Sequence, residues 1–333
     1  MLVTFIIVAY NAEKVIKDCL DSLNNQTYSH NDIEVILVDS TSTDNTKNKM
    51  IQFKKNNTEQ YNRILVLDNP KKTLPCGWNV ALKEAKGEAI LRVDAHSTFP
   101  NNFVEENVNE IKNGENIVGG RCISITKNNT KWEKTLLLAE ESIFGCGIAD
   151  FRRKNERKYV STLAFAMYRK KVFDEVGKYN EELARTEDNE MHYRMKKAGY
   201  KFLLSPNIIT YRYARSSLLD MVKQKYNNGK WIGITMRYCP QCFSSYHFVP
   251  FLFVLSLILC IILALFHIII PLYLIIGLYT MFNITTLGLI IIQNGFHLQY
   301  LLLPSIFLLL HLSYGIGTAR GLLKAISIKK VRK

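Results

Sequence analysis

Apolar residues in the first 237 positions form two kinds of segment. Short continuous runs rich in Val, Ile and Leu are typical of buried parallel strands. Between these runs, apolar residues recur at helical spacing, which predicts amphipathic helices. The strands predicted in this way are Leu2–Ala9, Ile33–Val38, Arg63–Leu67 and Ala89–Val93, and the helices between them are Glu13–Asn24, Thr46–Asn56 and Trp78–Ala85. This alternation predicts an α/β fold with a doubly wound, mostly parallel sheet.

Beyond residue 100 the strands and helices are less regularly spaced. Glycines that follow a periodic segment, such as Gly199 and Gly229, are read as helix ends. The predicted helices are Phe103–Lys112, Trp132–Phe144, Lys171–Val176, Glu187–Ala198 and Ser217–Asn227. The predicted strands are Ile117–Ile125, Ser161–Tyr168, Tyr200–Leu204 and Ile208–Tyr213.

The last third of the chain contains a long uncharged window. From Tyr238 to Ala319 there is no Asp, Glu, Lys or Arg. Its apolar stretches Phe248–His267 and Pro271–Gln293 are each long enough to cross a bilayer, and Tyr300–Ala319 is marginal. Because the window is so long, we expect membrane helices rather than a buried helical core. The predicted organisation is a catalytic domain over 1–237, a juxtamembrane linker over 238–247, two to three transmembrane helices over 248–323 and a basic tail over 324–333.

The distribution of charge bears on partners and on topology. The formal net charge is +14, and six basic residues follow Ala319. A basic domain beside a membrane suits an anionic lipid surface and an anionic substrate, and no nucleic-acid-binding module is recognisable. Met1–Tyr10 lacks the basic start of a signal peptide, so we expect a cytoplasmic N-terminal domain. Three spans would then place the basic tail outside, against the positive-inside tendency, so an even number of true spans is favoured.

The seven cysteines are scattered along the chain. Cys239 and Cys242 have CxxC spacing, but no second pair follows to complete a zinc site. We therefore expect a juxtamembrane or packing role for this pair rather than metal binding. An odd count without a disulfide framework fits a reducing compartment.

Four motifs together resemble family 2 inverting glycosyltransferases of the GT-A fold. The first two are Thr4–Glu13 and Glu34–Thr46, at the ends of the first two strands. The third is Arg92–His96, which resembles the metal motif of the family, and the fourth is Arg185–Arg194, which resembles its acid–base motif. The likeness covers roughly residues 1–235, and within the family it is greatest to bacterial exopolysaccharide glucosyltransferases of the succinoglycan type.

The resemblance implies that the donor is a nucleotide diphosphate sugar, and we expect the nucleotide to be UDP. Its base would be bound at the ends of the first two strands, where a ligand site of an open α/β sheet is expected. Asp39 could alternatively cap a turn or a helix. The predicted donor-binding residues are Ala9, Tyr10, Glu13, Asp39, Asn79, Asp94, Lys230 and Trp231. Lys230 and Trp231 belong to a loose form of the Gln/Arg-rich family segment, and Trp231 could instead anchor the chain at the membrane interface.

Asp94 and His96 are the predicted metal site. Mg²⁺ or Mn²⁺ would offset the charge of the diphosphate leaving group. His96 stands where the family usually has a second Asp, and imidazole suits Mn²⁺ better than Mg²⁺. His96 could alternatively contact only the phosphate or a neighbouring carboxylate.

Inverting transfer needs a base for the acceptor hydroxyl, and the resemblance assigns that role to Asp188. Glu187 beside it would orient the acceptor or the base. Both acids could alternatively favour a helix N-terminus without taking part in chemistry.

These features predict a multi-pass enzyme of the inner cell membrane whose catalytic domain faces the cytoplasm. It would move one sugar to a lipid-linked oligosaccharide in exopolysaccharide, capsule or related glycan synthesis. The first alternative is a transferase that makes a polyprenyl-monophosphate sugar. A non-catalytic membrane scaffold is disfavoured because Asp39, Asp94, Glu187 and Asp188 are intact. A nucleotidyltransferase would need a Gly-rich loop where Tyr10–Ala12 stands.

Overall fold

The computed structural model describes residues 1–145 and 149–328, which divide into two compact units. The first unit consists of Met1–Ile125 and Ala149–Tyr213, and the second of Thr126–Ile148 and Ala214–Lys333. Two parts of the predicted catalytic domain, around residues 126–145 and 214–237, are therefore grouped with the apolar C-terminal helices.

The first unit is a sheet covered by helices on both faces. Its strands are β1 (Val3–Ala9), β2 (Ile33–Asp39), β3 (Arg63–Asp68), β4 (Ala89–Asp94), β5 (Ser97–Thr98), β6 (Ile117–Ile125), β7 (Lys158–Val160), β8 (Met167–Arg169) and β9 (Phe202–Tyr213). Its helices are α1 (Ile16–Asn24), α2 (Thr46–Asn57), α3 (Leu74–Glu84), α4 (Phe103–Lys112), α6 (Asp150–Arg153), α7 (Lys170–Val176) and α8 (Glu187–Lys197).

The sheet confirms the predicted mostly parallel, doubly wound arrangement. Its strand order is β3-β2-β1-β4-β8-β6-β9-β5, with β7 also paired to β9. The strands β3, β2, β1 and β4 are mutually parallel, whereas β8 is antiparallel to both of its neighbours. β1 and β2 are buried along their whole length, which explains why they have no polar alternation in the sequence.

Two predicted strand boundaries were wrong. The run Ser161–Tyr168 is not one strand, because the chain leaves β7 at Val160 and joins the sheet again only at Met167, with Phe165 at a positive φ of 49° between them. The separate strands Tyr200–Leu204 and Ile208–Tyr213 are one strand, β9. Its ladder with β6 shifts register between Gly120 and Arg121, which lets the chain pass Pro206 and remain extended.

The second unit is helical. Its helices are α5 (Lys131–Glu141), α9 (Leu218–Thr235), α10 (Val249–Leu265), α11 (Ile270–Asn294) and α12 (Leu303–Ser327). Three segments are long and apolar enough to span a membrane: Ser245–Leu265, Ile270–Asn294 and Leu298–Ser327, with mean hydropathies of 3.1, 2.0 and 1.6. The third stretch, marginal in the sequence, thus meets the same length and composition criteria within a longer helix.

Glycine brings α9 and α12 into close contact. A Cβ atom at Gly233 would lie 2.5 Å from the backbone nitrogen of Leu322, and one at Gly229 would lie 2.1 Å from the carbonyl oxygen of Tyr314. The prediction that α9 ends near Gly229 was therefore wrong: this glycine allows close helix packing, and the helix continues to Thr235.

Cys239 and Cys242 both lie in the segment that connects α9 to α10, and they form a disulfide with each other. The expectation of reduced cysteines was therefore wrong for this pair. The other cysteines of the described residues, Cys19, Cys76, Cys122 and Cys260, are free and buried.

Candidate active site

The carboxyl ends of four strands place the predicted donor-site residues along one edge of the sheet. Ala9 of β1 lies opposite Asp39 of β2, which in turn lies opposite Asp68 of β3. On the other side of β1, Val8 lies opposite Asp94 of β4. Three carboxylates therefore lie along the edge where open α/β sheets bind their ligands.

Asp39 has a buried oxygen atom that lacks a partner among the described residues. The residue is only 2% exposed, and its Oδ2 accepts a hydrogen bond of 3.1 Å from the amide of Ser42. Its Oδ1 is buried and accepts no hydrogen bond from any residue that the structure describes. An unpaired buried carboxylate oxygen is costly, so this atom is suited to an N–H donor of a ligand.

The loops that follow β1 and β2 are fastened to each other. The amide of Glu13 donates to Oδ2 of Asp44 at 3.0 Å, and the amide of Asn45 donates to Oε2 of Glu13 at 3.3 Å. Asp44 Oδ1 also accepts a hydrogen bond of 3.0 Å from the amide of Thr46, the first residue of α2. Glu13 therefore shapes the loop beside Asp39, while the ring of Tyr10 is 54% exposed above the strand end.

Asp94 and His96 follow each other at the end of β4. Both are partly exposed. Among the described residues, no hydrogen bond or ion pair is formed by the carboxylate of Asp94; its backbone carbonyl accepts a 2.6 Å bond from the hydroxyl of Ser97. Nowhere in residues 1–145 and 149–328 do three or more His, Cys, Asp or Glu side chains come together in a group suited to a metal ion. A metal held here would therefore complete its coordination with oxygens from the donor.

Asp188, the predicted base, forms an ion pair with a residue that the sequence analysis did not single out. Both carboxylate oxygens accept hydrogen bonds from the guanidinium of Arg92, one of them at 2.5 Å. The side chain of Arg92 is 8% exposed, whereas that of Asp188 is 33% exposed. Burial acts to raise the pKa of Asp188, but the charge and hydrogen bonds of Arg92 outweigh burial and hold this pKa below its usual range.

Glu187 differs from Asp188 in its environment. It is 2% exposed, and its Oε2 is buried without a hydrogen-bond partner among the described residues. Burial, with the neighbouring charge of Asp188, raises the pKa of Glu187 to about 8. Two adjacent acids are thus separated into an accessible, ionised one and a buried, protonated one.

Asn79 is buried beneath this pair. Its amide nitrogen donates to the carbonyl of Tyr179 at 2.9 Å and to Glu181 at 3.0 Å, and its carbonyl oxygen accepts from the amide of Tyr179 at 2.9 Å. The phenol of Tyr179 in turn accepts a 2.9 Å hydrogen bond from Arg92. Asn79 therefore secures the loop before α8, and its connection to the predicted site is through Tyr179 and Arg92.

Arg92 and Tyr179 are the site residues that sequence reasoning missed. The signal for Arg92 was a single charge inside an otherwise apolar strand, because such a charge needs a buried partner. Tyr179 carried no comparable signal. Lys230 and Trp231 lie on α9 of the second unit, and their assignment as donor contacts stays a prediction from the motif.

Comparison with known proteins identifies the family. Residues 4–177 match the model of glycosyl transferase family 2. The chain belongs to this family. The sheet and helices of its first unit are those of the GT-A glycosyltransferase fold, and the match includes β1 to β4, Asp39 and Asp94.

Among similar family 2 proteins, one relative matches almost the whole chain. It is the Methanococcus voltae dolichyl N-acetyl-α-D-glucosaminyl phosphate 3-β-D-2,3-diacetamido-2,3-dideoxy-β-D-glucuronosyltransferase, 26% identical over 98% of this chain and 99% of its own length. The succinoglycan biosynthesis protein ExoA of Rhizobium meliloti is 28% identical over 59% of this chain and 58% of its own. Its similarity confirms the likeness to succinoglycan-type family members.

A solved structure shares the fold over most of the chain. The mannosyltransferase PcManGT of Pyrobaculum calidifontis, in complex with GDP-mannose and Mn²⁺, has a TM-score of 0.60 at 14% identity. The likeness covers 96% of this chain and 86% of the mannosyltransferase. It therefore extends beyond the first unit into the apolar helices.

Proposed function

We propose that this family 2 enzyme is an inverting, membrane-bound hexosyltransferase. It moves one sugar from a nucleotide diphosphate sugar, with UDP as the expected nucleotide, to a lipid-linked oligosaccharide. The observation that carries the proposal is the pairing of strand ends, which sets the buried carboxylate of Asp39 beside β1 and the carboxylate of Asp94 on the other side of that strand.

Asp39 and its neighbours suit the nucleoside. Oδ1 of Asp39 is placed to accept an N–H proton of the base, and the backbone of Ala9 runs beside it. The exposed ring of Tyr10 offers an apolar face, and Glu13 holds the adjoining loop. In this proposal Asn79 acts indirectly by holding Tyr179, and Lys230 and Trp231 contact the diphosphate or the acceptor.

Asp94 and His96 suit a divalent ion bound together with the diphosphate. Asp94 supplies a partly exposed carboxylate, and His96 a partly exposed imidazole two residues later. Bound Mg²⁺ or Mn²⁺ supplies Lewis-acid stabilisation of the negative charge on the leaving group. The assignment of His96 as a ligand rather than a phosphate contact is part of the proposal.

Asp188 is the proposed general base. It lies at the start of α8, is accessible, and has its pKa held low, so it is ionised at neutral pH. It accepts the proton of the acceptor hydroxyl while that oxygen bonds to the anomeric carbon and the nucleotide diphosphate leaves from the opposite face. Glu187 is buried and protonated, so in this proposal it supports the base without contacting the acceptor.

The acceptor assignment rests on the apolar helices and on the relatives. Three segments can span a membrane, which suits a substrate held in the bilayer by a polyprenyl chain. The printed name of the Methanococcus voltae relative gives a dolichyl-phosphate-linked sugar as its acceptor. We propose a multi-pass protein of the inner cell membrane whose first unit faces the cytoplasm, where nucleotide sugars are made.

The alternative is a transferase whose acceptor is a polyprenyl monophosphate without sugar. It would use the same donor site. A non-catalytic scaffold is the third reading, and the buried Oδ1 of Asp39 and the carboxylate of Asp94 both disfavour it, because a scaffold gains nothing from them.

Membranes containing the protein, supplied with radiolabelled UDP-sugars and then extracted with organic solvent, distinguish these readings. Label in a lipid-linked saccharide of two or more sugars supports the proposal. Label as one sugar on a monophosphate lipid supports the alternative. No lipid-linked label from any nucleotide sugar, together with no nucleotide binding, contradicts both.

A further inference from the structure

Arg92 is a charged residue placed within the core. It lies on β4 between apolar neighbours, and its side chain is 8% exposed. The guanidinium carbon lies 4.7 Å from the ring centroid of Trp78 and 5.6 Å from that of Tyr179. Burial of a guanidinium costs free energy unless its charge and hydrogen bonds are satisfied, so the partners of Arg92 matter.

The guanidinium makes a two-pronged contact with Asp188. One terminal nitrogen donates to Oδ2 at 2.5 Å, and the other donates to Oδ1 and to the phenol of Tyr179 at 2.9 Å. Tyr179 is itself fixed by hydrogen bonds between its backbone and Asn79. Arg92 therefore cannot rotate without breaking a planar, bidentate pair and leaving its two flanking rings.

The two members of the pair differ in access. Arg92 is enclosed, while a third of the Asp188 side chain is exposed. A carboxylate has about four lone-pair positions, and a bidentate guanidinium uses one on each oxygen. Each oxygen of Asp188 consequently keeps a second lone pair, with which it can accept a hydroxyl proton while Arg92 still holds it.

We propose that Arg92 is a positioning residue for sugar transfer, and that its guanidinium fixes the carboxylate of Asp188 in the orientation from which it takes the acceptor proton. This inference rests on the proposed function. In the reaction the acceptor proton passes to Asp188, the acceptor oxygen bonds to the anomeric carbon, and the bond from that carbon to the diphosphate breaks. Release of the proton to water restores the ion pair.

The charges around Asp188 agree with this role. The titratable groups that act on Asp188, Glu187 or Arg92 are Asp94 on β4, Tyr168 on β8, Tyr179 before α8 and His192 on α8. Burial lowers the pKa of His192 to about 4, so this imidazole is neutral at pH 7. Arg92 is paired with Asp188, and its positive charge holds the pKa of that carboxylate down, whereas a neutral His192 adds no positive charge at pH 7.

Chemical rescue tests the proposal. Arg92→Ala in the full-length protein should lower kcat about 100-fold, because a misplaced catalytic group costs about that factor, and leave the affinity for UDP within about twofold. Millimolar guanidinium should restore at least about tenfold of the lost kcat by occupying the slot between Trp78 and Tyr179. Urea, a neutral molecule of the same shape, should not.

Arg169→Ala is the matched control. Among the residues that the structure describes, the Arg169 side chain on neighbouring β8 donates to backbone carbonyls alone, including that of Glu115 at 3.0 Å. Its kcat should not respond to guanidinium. If Arg92→Ala does not fold, Arg92→Lys provides a second test. Lysine keeps the positive charge but cannot make the bidentate hydrogen bonds of the guanidinium, so kcat should fall at least about tenfold at unchanged UDP affinity.

Absence of rescue in folded, UDP-binding Arg92→Ala, or wild-type kcat in either variant, would overturn the proposal. Failure of the proposed function has a different signature: wild-type protein would transfer no sugar, or Asp188→Asn would remain active. The experiment therefore separates an error about Arg92 from an error about the reaction.

Discussion

Asp39 and Asp94 lie on either side of β1, one residue apart in register: Asp39 is opposite Ala9 and Asp94 is opposite Val8. Because neighbouring strands are about 4.8 Å apart, the backbones of these two residues are about 10 Å apart. One carboxylate can thus receive the base of a nucleotide while the other meets its diphosphate.

Asp39→Asn should weaken UDP binding. The change places an amide N–H donor at the position of the buried Oδ1, which is suited to accept a hydrogen bond. A mismatched buried hydrogen bond costs about 1–3 kcal/mol, which corresponds to an affinity loss of about 5- to 150-fold. Isothermal titration with UDP measures it. The control is Asp68→Asn at the paired position of β3, where the carboxylate is exposed and bound to Lys47 at 2.6 Å. Equal affinity of the two variants would contradict the assignment.

His96→Asp should change the preference between metals. A second carboxylate in place of the imidazole favours Mg²⁺ over Mn²⁺, so the ratio of activity with Mn²⁺ to activity with Mg²⁺ should fall. Asp94→Asn should abolish the response to either ion. Metal titrations of transfer activity give both results, and an unchanged ratio in His96→Asp would remove the imidazole from the metal site.

Glu187→Gln should remove a pH dependence of stability. The pKa of Glu187 is raised to about 8 in the folded protein, above its ordinary value, so the folded state holds this proton more tightly. The stability associated with that proton is complete below the ordinary pKa and is lost as pH rises through about 8. Wild-type unfolding temperature should therefore decline between about pH 5 and 8 more steeply than that of the variant. Parallel curves over this range would show that Glu187 is ionised in the folded protein.

Gly233→Ala should destabilise the second unit. The added methyl group would lie 2.5 Å from the backbone nitrogen of Leu322, and overpacking of this kind costs about 1–3 kcal/mol. Gly288→Ala on α11 is the control, since no atom of the described residues beyond its own stretch of helix lies within 4 Å of the point that its added methyl group would occupy. Thermal unfolding in detergent compares them. Equal midpoints would mean that the α9–α12 contact does not contribute to stability.

The first four strands were predictable because each is a short apolar run with a polar residue at its end. This pattern located β1 to β4 within a residue or two, and with them Asp39 and Asp94. The predictions for Gly229 and Ser161–Tyr168 were wrong because local sequence does not report tertiary contacts. Gly229 allows α9 to pack closely against α12, and a turn at Phe165 divides the apolar run.

The connection between Arg92 and Asp188 was beyond reach for a similar reason. The two residues are 96 positions apart, and the local sequence around either residue does not indicate that they pair. The burial that separates Glu187 from Asp188 is likewise decided by how α8 packs on the sheet. Adjacent acids look equivalent in a sequence, and only their surroundings make one accessible and the other protonated.

The central claim is that Asp188 is the base for transfer of one sugar to a lipid-linked acceptor. The direct measurement compares label transfer from a UDP-sugar to extractable lipid-linked saccharide by wild type, Asp188→Asn and the control Asp174→Asn, an exposed acid on α7. The account predicts that Asp188→Asn loses about 100-fold or more of kcat while still binding UDP, and that Asp174→Asn matches wild type. Transfer by Asp188→Asn at the wild-type rate would contradict it.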